Sequence, residues 1–165
     1  MHLPRMCPCA SGVTAREIGS GTLISQRSLD GVFFEDSRIR EADIDITDGL
    51  SNTMLVAEFL FLVDVTGPDH NGDVQLIDHW YIGSPSMGDN EMPETLGSTA
   101  APINAWQKSP RPFIEDVEMS YSYRHSGLVQ AVFGDGRVTS ISDSIDMQIW
   151  RAHGTRNLGE IAGLE

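Results

Sequence analysis

The chain has 165 residues, enough for one domain to bury a core without disulfide or metal staples and too few to favour a second domain. Eleven basic against 24 acidic residues leave a net charge of −13, which repels phosphate backbones and acidic membranes and favours cations or basic protein surfaces; nucleic acid is not expected as a partner. No apolar run approaches the length of a membrane span, and Met1-His2-Leu3-Pro4-Arg5 lacks the apolar stretch of a signal peptide, so the chain as written reads as soluble.

Residues 1–28 carry Pro4, Pro8, Gly12, Gly19 and Gly21 with little periodicity, which predicts an irregular N-terminal segment with one strand around Thr22 to Ser25. Cys7 and Cys9 are the only cysteines, and their spacing is too short to close an easy disulfide. They are either two unpaired thiols or include one with a partner upstream of this sequence. Residues 31–34 predict a short strand. After Ile39, Ile44 and Ile46, Thr47 or Asp48 is placed to cap a single helical turn through Asn52. Asp48, Ser51 and Asn52 read either as a polar site or as side chains satisfying backbone groups at a turn.

Residues 54–65 are the most apolar stretch. Phe59, Phe61, Val63 and Val65, closed by Gly67, predict a central strand. Glu58 inside it must find a partner, stay protonated, or sit on a solvated face or edge. Asp69, Asn71 and Asp73 mimic the start of a calcium loop, but Val74 stands where that loop needs glycine and Trp80 where it needs glutamate, so an EF-hand is rejected. A calcium site of another geometry stays open beside the simpler reading, a polar loop leading into a strand over 74–83. Residues 83–118, with Pro85, Pro93, Pro102, Pro110 and Pro112, predict a long loop pinned by Leu96, Ile103 and Trp106.

Strands over 128–133 and 137–141 flank Asp135-Gly136, which predicts a hairpin with a two-residue loop, Gly134 facing Arg137 and Leu128 facing Asp143. Ser142-Asp143-Ser144 offers N-capping side chains, and Ile145, Ile149 and Ala152 recur at helical spacing. A helix over 144–153 follows, with Gly154 in a left-handed C-terminal cap and Trp150 on the buried side. The fold class predicted is α+β, a mostly antiparallel sheet with a C-terminal hairpin and short helix. Asp135 in the turn and His125 before the first strand lie at opposite ends of the hairpin, too far apart to share a proton. His125 is expected instead to latch the hairpin's first strand, through residues 142–146 or a nearby backbone carbonyl. No nucleophile elbow, phosphate loop, dinucleotide fingerprint or zinc spacing is present, so neither an enzyme nor a cofactor is expected.

Three motifs carry a resemblance. His125 followed after nine residues by Asp135-Gly136, then Ile46-Thr47-Asp48-Gly49-Leu50-Ser51-Asn52-Thr53 running into Met54-Leu55-Val56-Ala57-Glu58, and Trp150-Arg151-Ala152-His153-Gly154-Thr155-Arg156 are similar to segments of a bacterial prepilin-type family, domain of unknown function 1559. The resemblance implies a pseudopilin-like, β-rich head domain, located outside the cytoplasm or in the cell envelope. It would act through protein partners or other pseudopilin-like subunits in a secretion or surface-filament system. It also marks His125, Asp135, Gly136, Asp48, Gly49, Ser51, Asn52, Thr53, Glu58, Trp150, Gly154, Thr155 and Arg156 as signature residues. The long apolar helix that begins such proteins has no counterpart in this sequence. The alternative is an extracytoplasmic module binding calcium or a glycan through acidic loops and Trp80 or Trp106.

Overall fold

The computed structural model describes residues 5–11, 31–33, 38–45, 47–59, 97–107, 120–123 and 127–156. Among them the fold is α+β. The sheet contains β1 (Arg5–Ser11), β2 (Met54–Phe59), β3 (Gly97–Ser98), β4 (Leu128–Phe133) and β5 (Val138–Ser142), in the order β3-β1-β2-β4-β5. The pairs β1–β2, β2–β4 and β4–β5 are antiparallel, and β1–β3 is parallel. Helix α1 spans Glu41–Asp45 and helix α2 spans Met147–Gly154.

Alternation along β4 sorts its residues by face. Val129, Ala131 and Phe133 are buried while Leu128 is exposed, as expected of a strand with one face against the core. Met54, Ala57 and Phe59 of β2 and Ile141 of β5 join that core, as do Ile103, Tyr121, Tyr123 and Trp150. Tyr121 and Trp150 meet edge to face at 5.8 Å, and the indole N–H donates to the Ala101 carbonyl at 2.9 Å. Gly97 makes room for Tyr121: a Cβ there would lie 2.4 Å from the phenol ring. Ile103 is buried, as its anchoring role requires, and Asn104 beside it takes a left-handed conformation, φ 52°, while its Oδ1 accepts the Tyr123 N–H at 3.0 Å.

Several expectations need correction. Residues 5–11 form a strand inside the sheet rather than an irregular lead-in. Pro8 and the small residues around it argue against a strand locally, but pairing with β2 overrides that preference, and a register irregularity between Cys9 and Ser11 accommodates the segment. Residues 31–33 run through a bend, not a strand. Helix α1 was not expected. Its start is tied by the Asp43 carboxylate, which accepts the Arg40 N–H at 2.9 Å and pairs with the Arg40 guanidinium at 3.0 Å, holding the exposed Asp43 carboxyl below its usual range. The strand expected over 54–65 is described as far as Phe59. The strand around Thr22 to Ser25, residues 60–65, the strand over 74–83, Asp69 to Asp73, Trp80 and Leu96 lie outside the described residues, and so does His125.

The hairpin is present, but its loop has three residues. Leu128 pairs with Ser142 and Val132 with Val138, one residue away from the expected register. The Phe133 N–H donates to the Arg137 carbonyl and the Gly136 N–H to the Phe133 carbonyl, both at 2.9 Å, with Gly136 at φ 81°. That is a turn over Gly134 and Asp135 completed by a left-handed glycine, a loop that the Asp-Gly dipeptide serves as well as a two-residue one. Helix α2 starts three residues later than expected. Asp146 is its N-cap, accepting the N–H groups of Gln148 at 2.7 Å and Ile149 at 3.4 Å, whereas Ser142 to Ile145 close a separate turn. Gly154 is the last helical residue and not a left-handed cap. Thr155 ends the helix in extended conformation, its N–H and hydroxyl both donating to the Ala152 carbonyl.

Candidate functional site

The described parts of the three motifs meet at one place. Gly49, at φ 83°, turns the chain so that residues 49–53 form one tight coil: the N–H groups of Asn52 and Thr53 both donate to the Gly49 carbonyl, at 3.1 and 3.2 Å. The side chains of the motif reinforce the coil. Asn52 Nδ2 donates to the Asp48 carbonyl at 2.9 Å, and the Thr53 hydroxyl donates to the Gly49 carbonyl at 3.2 Å. Asp48 is buried. Thr47 does not cap this turn; its hydroxyl reaches back to the Ile44 carbonyl and across to the Arg156 carbonyl.

The coil leaves four successive carbonyls, Leu50 to Thr53, directed away from it, and each is taken by a donor from elsewhere. The Leu50 carbonyl accepts the Asp135 N–H at 3.2 Å, and the Thr53 carbonyl accepts the Gly134 N–H at 2.9 Å. The Ser51 carbonyl accepts from the Arg137 guanidinium at 2.6 Å, and the Asn52 carbonyl lies 3.0 Å from Nδ1 of His153. The hairpin tip therefore supplies three donors and α2 the fourth. Thr53 is buried, Leu50 and Asn52 are half-buried and Ser51 is exposed, and all four carbonyls are paired although the loop has no ladder of its own.

Packing makes the same junction. The Arg137 guanidinium lies 4.6 Å above the Phe133 ring, and the His153 ring meets that phenyl edge-on, 5.1 Å between centroids. Gly134 permits the closest approach, since a Cβ at that position would stand 2.9 Å from the Leu50 carbonyl oxygen. Asp135, exposed at the tip, accepts the Arg137 N–H at 2.9 Å and so fixes the turn from which Arg137 projects. Arg156, beyond α2, donates to the Gly31 carbonyl.

His153 is completely buried. Its Nδ1 faces a carbonyl, which can only accept, so the ring proton belongs on Nδ1 and Nε2 carries a lone pair with no hydrogen-bond partner. Burial lowers the histidine's pKa from its ordinary value and the neighbouring Arg137 charge lowers it further, against the opposing effect of the Asn52 carbonyl.

Glu58 lies away from this junction. Its carboxylate is buried and accepts the Gln130 N–H at 2.8 Å, while its own carbonyl accepts the Ser122 N–H at 3.1 Å. The carboxylate thus takes up a strand donor where the β2–β4 ladder gives way to residues 120–123. At the far end of the hairpin Tyr123 donates its hydroxyl to Asp143 at 2.6 Å, and burial, helped by that carboxylate, raises the phenol's pKa. No group of three or more His, Cys, Asp or Glu side chains is placed to hold a metal among the described residues, and no described helix is long and apolar enough to cross a membrane.

Of the signature residues, Asp48, Gly49, Ser51, Asn52, Thr53, Asp135, Gly136 and Arg156 all belong to this junction. Trp150 belongs to the core one helical turn before it, Gly154 and Thr155 close α2, and Glu58 serves the sheet. Sequence reasoning passed over Gly134, Arg137 and His153 as site residues. His153 had a signal, since it follows Trp150 by three positions and so shares the buried face of the helix.

Comparison with curated proteins and with solved structures finds no match. The profile of one family matches residues 10–148, a span that contains two of the three motifs entire and reaches into α2. The chain belongs to that family, described as proteins of unknown function, DUF1559.

Proposed function

We propose that the chain is a non-enzymatic, pseudopilin-like head domain that works outside the cytoplasm, in a secretion or surface-filament system, through contacts with protein partners such as other pseudopilin-like subunits. The observation that supports this reading is the row of four carbonyls from Leu50 to Thr53, each engaged by the hairpin tip or by α2. The motif residues are used to brace one part of the fold against another, and a braced body is what a subunit needs to present a fixed surface to its neighbours. The exposed β5 side chain Val138, 62% accessible, is a place from which such contacts can be read.

The test is site-specific photo-crosslinking in the native host, with the reactive residue in place of Val138. Adducts with a second prepilin-type subunit are expected, together with loss of secretion or of filaments when the gene is deleted. A chain that forms no adduct from β5, and whose deletion changes neither process, would remove the proposal. The DNA upstream gives an independent check, since an in-frame prepilin cleavage site followed by an apolar helix is expected there.

A further inference from the structure

We propose that His153 is an acid-sensitive latch: protonation of its buried ring uncouples residues 50–53 from the hairpin tip while β4 and β5 stay paired. Four observations converge on it. The ring is wholly buried, it bridges α2 to the Asn52 carbonyl at 3.0 Å, its Nε2 has no acceptor to meet a second proton, and it packs against the same Phe133 ring that Arg137 covers. Adding a proton at Nε2 creates a buried cation with an unmet donor.

The charged residues on the elements that meet there decide whether that cation could be tolerated. The loop carries Asp48, the hairpin tip Asp135 and Arg137, β2 Glu58, and α2 with the residue pair after it Arg151 and Arg156. Arg137 is the charge that acts on the ring, and it has the same sign as an imidazolium. It is itself held in place, since it donates to the Ser51 carbonyl at 2.6 Å. The two cations would therefore stand at neighbouring carbonyls, Ser51 and Asn52, and repel each other. The cheapest relief is for the loop to part from the tip, because its remaining ties there are the two backbone bonds to Gly134 and Asp135. The β4–β5 ladder runs from Val132–Val138 back to Leu128–Ser142 and does not depend on those bonds.

The sign follows from linkage. The folded pKa lies below the unfolded value of about 6.5, so the stabilisation is fully present above about pH 6.5 and is lost as pH falls from there through the folded pKa. A group placed between the motifs of the fold thus makes their union depend on pH near neutrality.

The experiment is amide hydrogen exchange from pH 7.5 to 5, corrected for the intrinsic pH dependence of exchange. The Gly134 and Asp135 amides are expected to lose protection by up to about tenfold per pH unit, over the window below about pH 6.5, while the Val129 and Ala131 amides keep theirs. In His153→Asn, which keeps a donor near the place of Nδ1 and cannot titrate, the tip amides should show no such dependence. Nitrogen-15 spectra of the wild-type ring should show the neutral Nδ1–H form at pH 7.5, and this readout survives if the variant fails to fold. An imidazolium at pH 5 with the tip amides still protected would overturn the proposal. The same acid loss in His153→Asn would do so too, since the carboxylates would then be responsible.

Discussion

Trp150 and His153 stand one turn apart on the same face of α2, both fully buried, and they hold the molecule in different ways. Trp150 fills volume. It packs among Tyr121, Phe133, Met54 and Val129, and its single polar atom is satisfied by the Ala101 carbonyl. His153 supplies direction, a donor aimed at one carbonyl in a row of four, each of which needs its own partner at its own angle. The contrast separates two kinds of tolerance. A core filled by volume accepts other side chains of similar size, whereas a junction built on acceptors accepts only donors that arrive in the right place.

Removing volume should have the largest effect. Trp150→Ala takes away the largest wholly buried side chain among the described residues, strands the Ala101 carbonyl, and is expected to cost about 3–5 kcal/mol, read as a shift of the urea midpoint with unchanged slope. Trp150→Phe should recover much of that. If Trp150→Ala cost no more than the junction variants below, the distinction between volume and direction would fail.

Gly134→Ala comes next, at about 1–3 kcal/mol. The new methyl would sit 2.9 Å from the Leu50 carbonyl oxygen, so loop and tip must separate, and both backbone bonds between them lengthen. Exchange at the Gly134 and Asp135 amides should quicken before the rest of the sheet responds. Glu58→Leu is expected at about the same size or slightly less, since it leaves the Gln130 N–H without its 2.8 Å acceptor, while Glu58→Gln keeps an acceptor and should cost under about 1 kcal/mol. Thermal melts of the two Glu58 variants side by side check the claim, because equal losses would show that the charge matters and the hydrogen bond does not.

How much of this was legible in the sequence follows from the same contrast. Apolar alternation in β4 and helical spacing around Trp150 are properties of side chains, so the hairpin strands, the helix and its buried face were readable. The junction was not, because its acceptors are the carbonyls of Leu50, Ser51, Asn52 and Thr53, and a carbonyl looks the same at every position in a sequence. The motif residues announced a turn; nothing in them announced what the turn would face. The register was misread for a related reason: Asp135-Gly136 fits a two-residue loop and the observed three-residue loop equally, and only the bond from Phe133 to Arg137 separates them. Strand β1 was hidden by Pro8, whose place in the sheet depends on partners about fifty residues away, beside Val56.

The smallest expected effect tests the junction at its finest grain. Gly134 and Gly136 lie two positions apart in one turn and are needed for opposite reasons. At Gly134 space is short and the backbone ordinary; at Gly136 a Cβ would meet nothing within 4 Å, but φ is 81°. Substitution at 136 should therefore follow backbone preference alone. Gly136→Val, branched at Cβ, is expected to cost about 1–3 kcal/mol, and Gly136→Asn, which enters the left-handed region more readily, only a few tenths to about 1 kcal/mol. At position 134 the order should depend on size instead, with alanine already damaging and asparagine no better. Melting temperatures of Gly136→Asn, Gly136→Val, Gly134→Ala and Gly134→Asn decide it. If asparagine and valine were equally harmful at 136, the left-handed conformation would not be what holds glycine there, and the tip would have to be crowded at both positions.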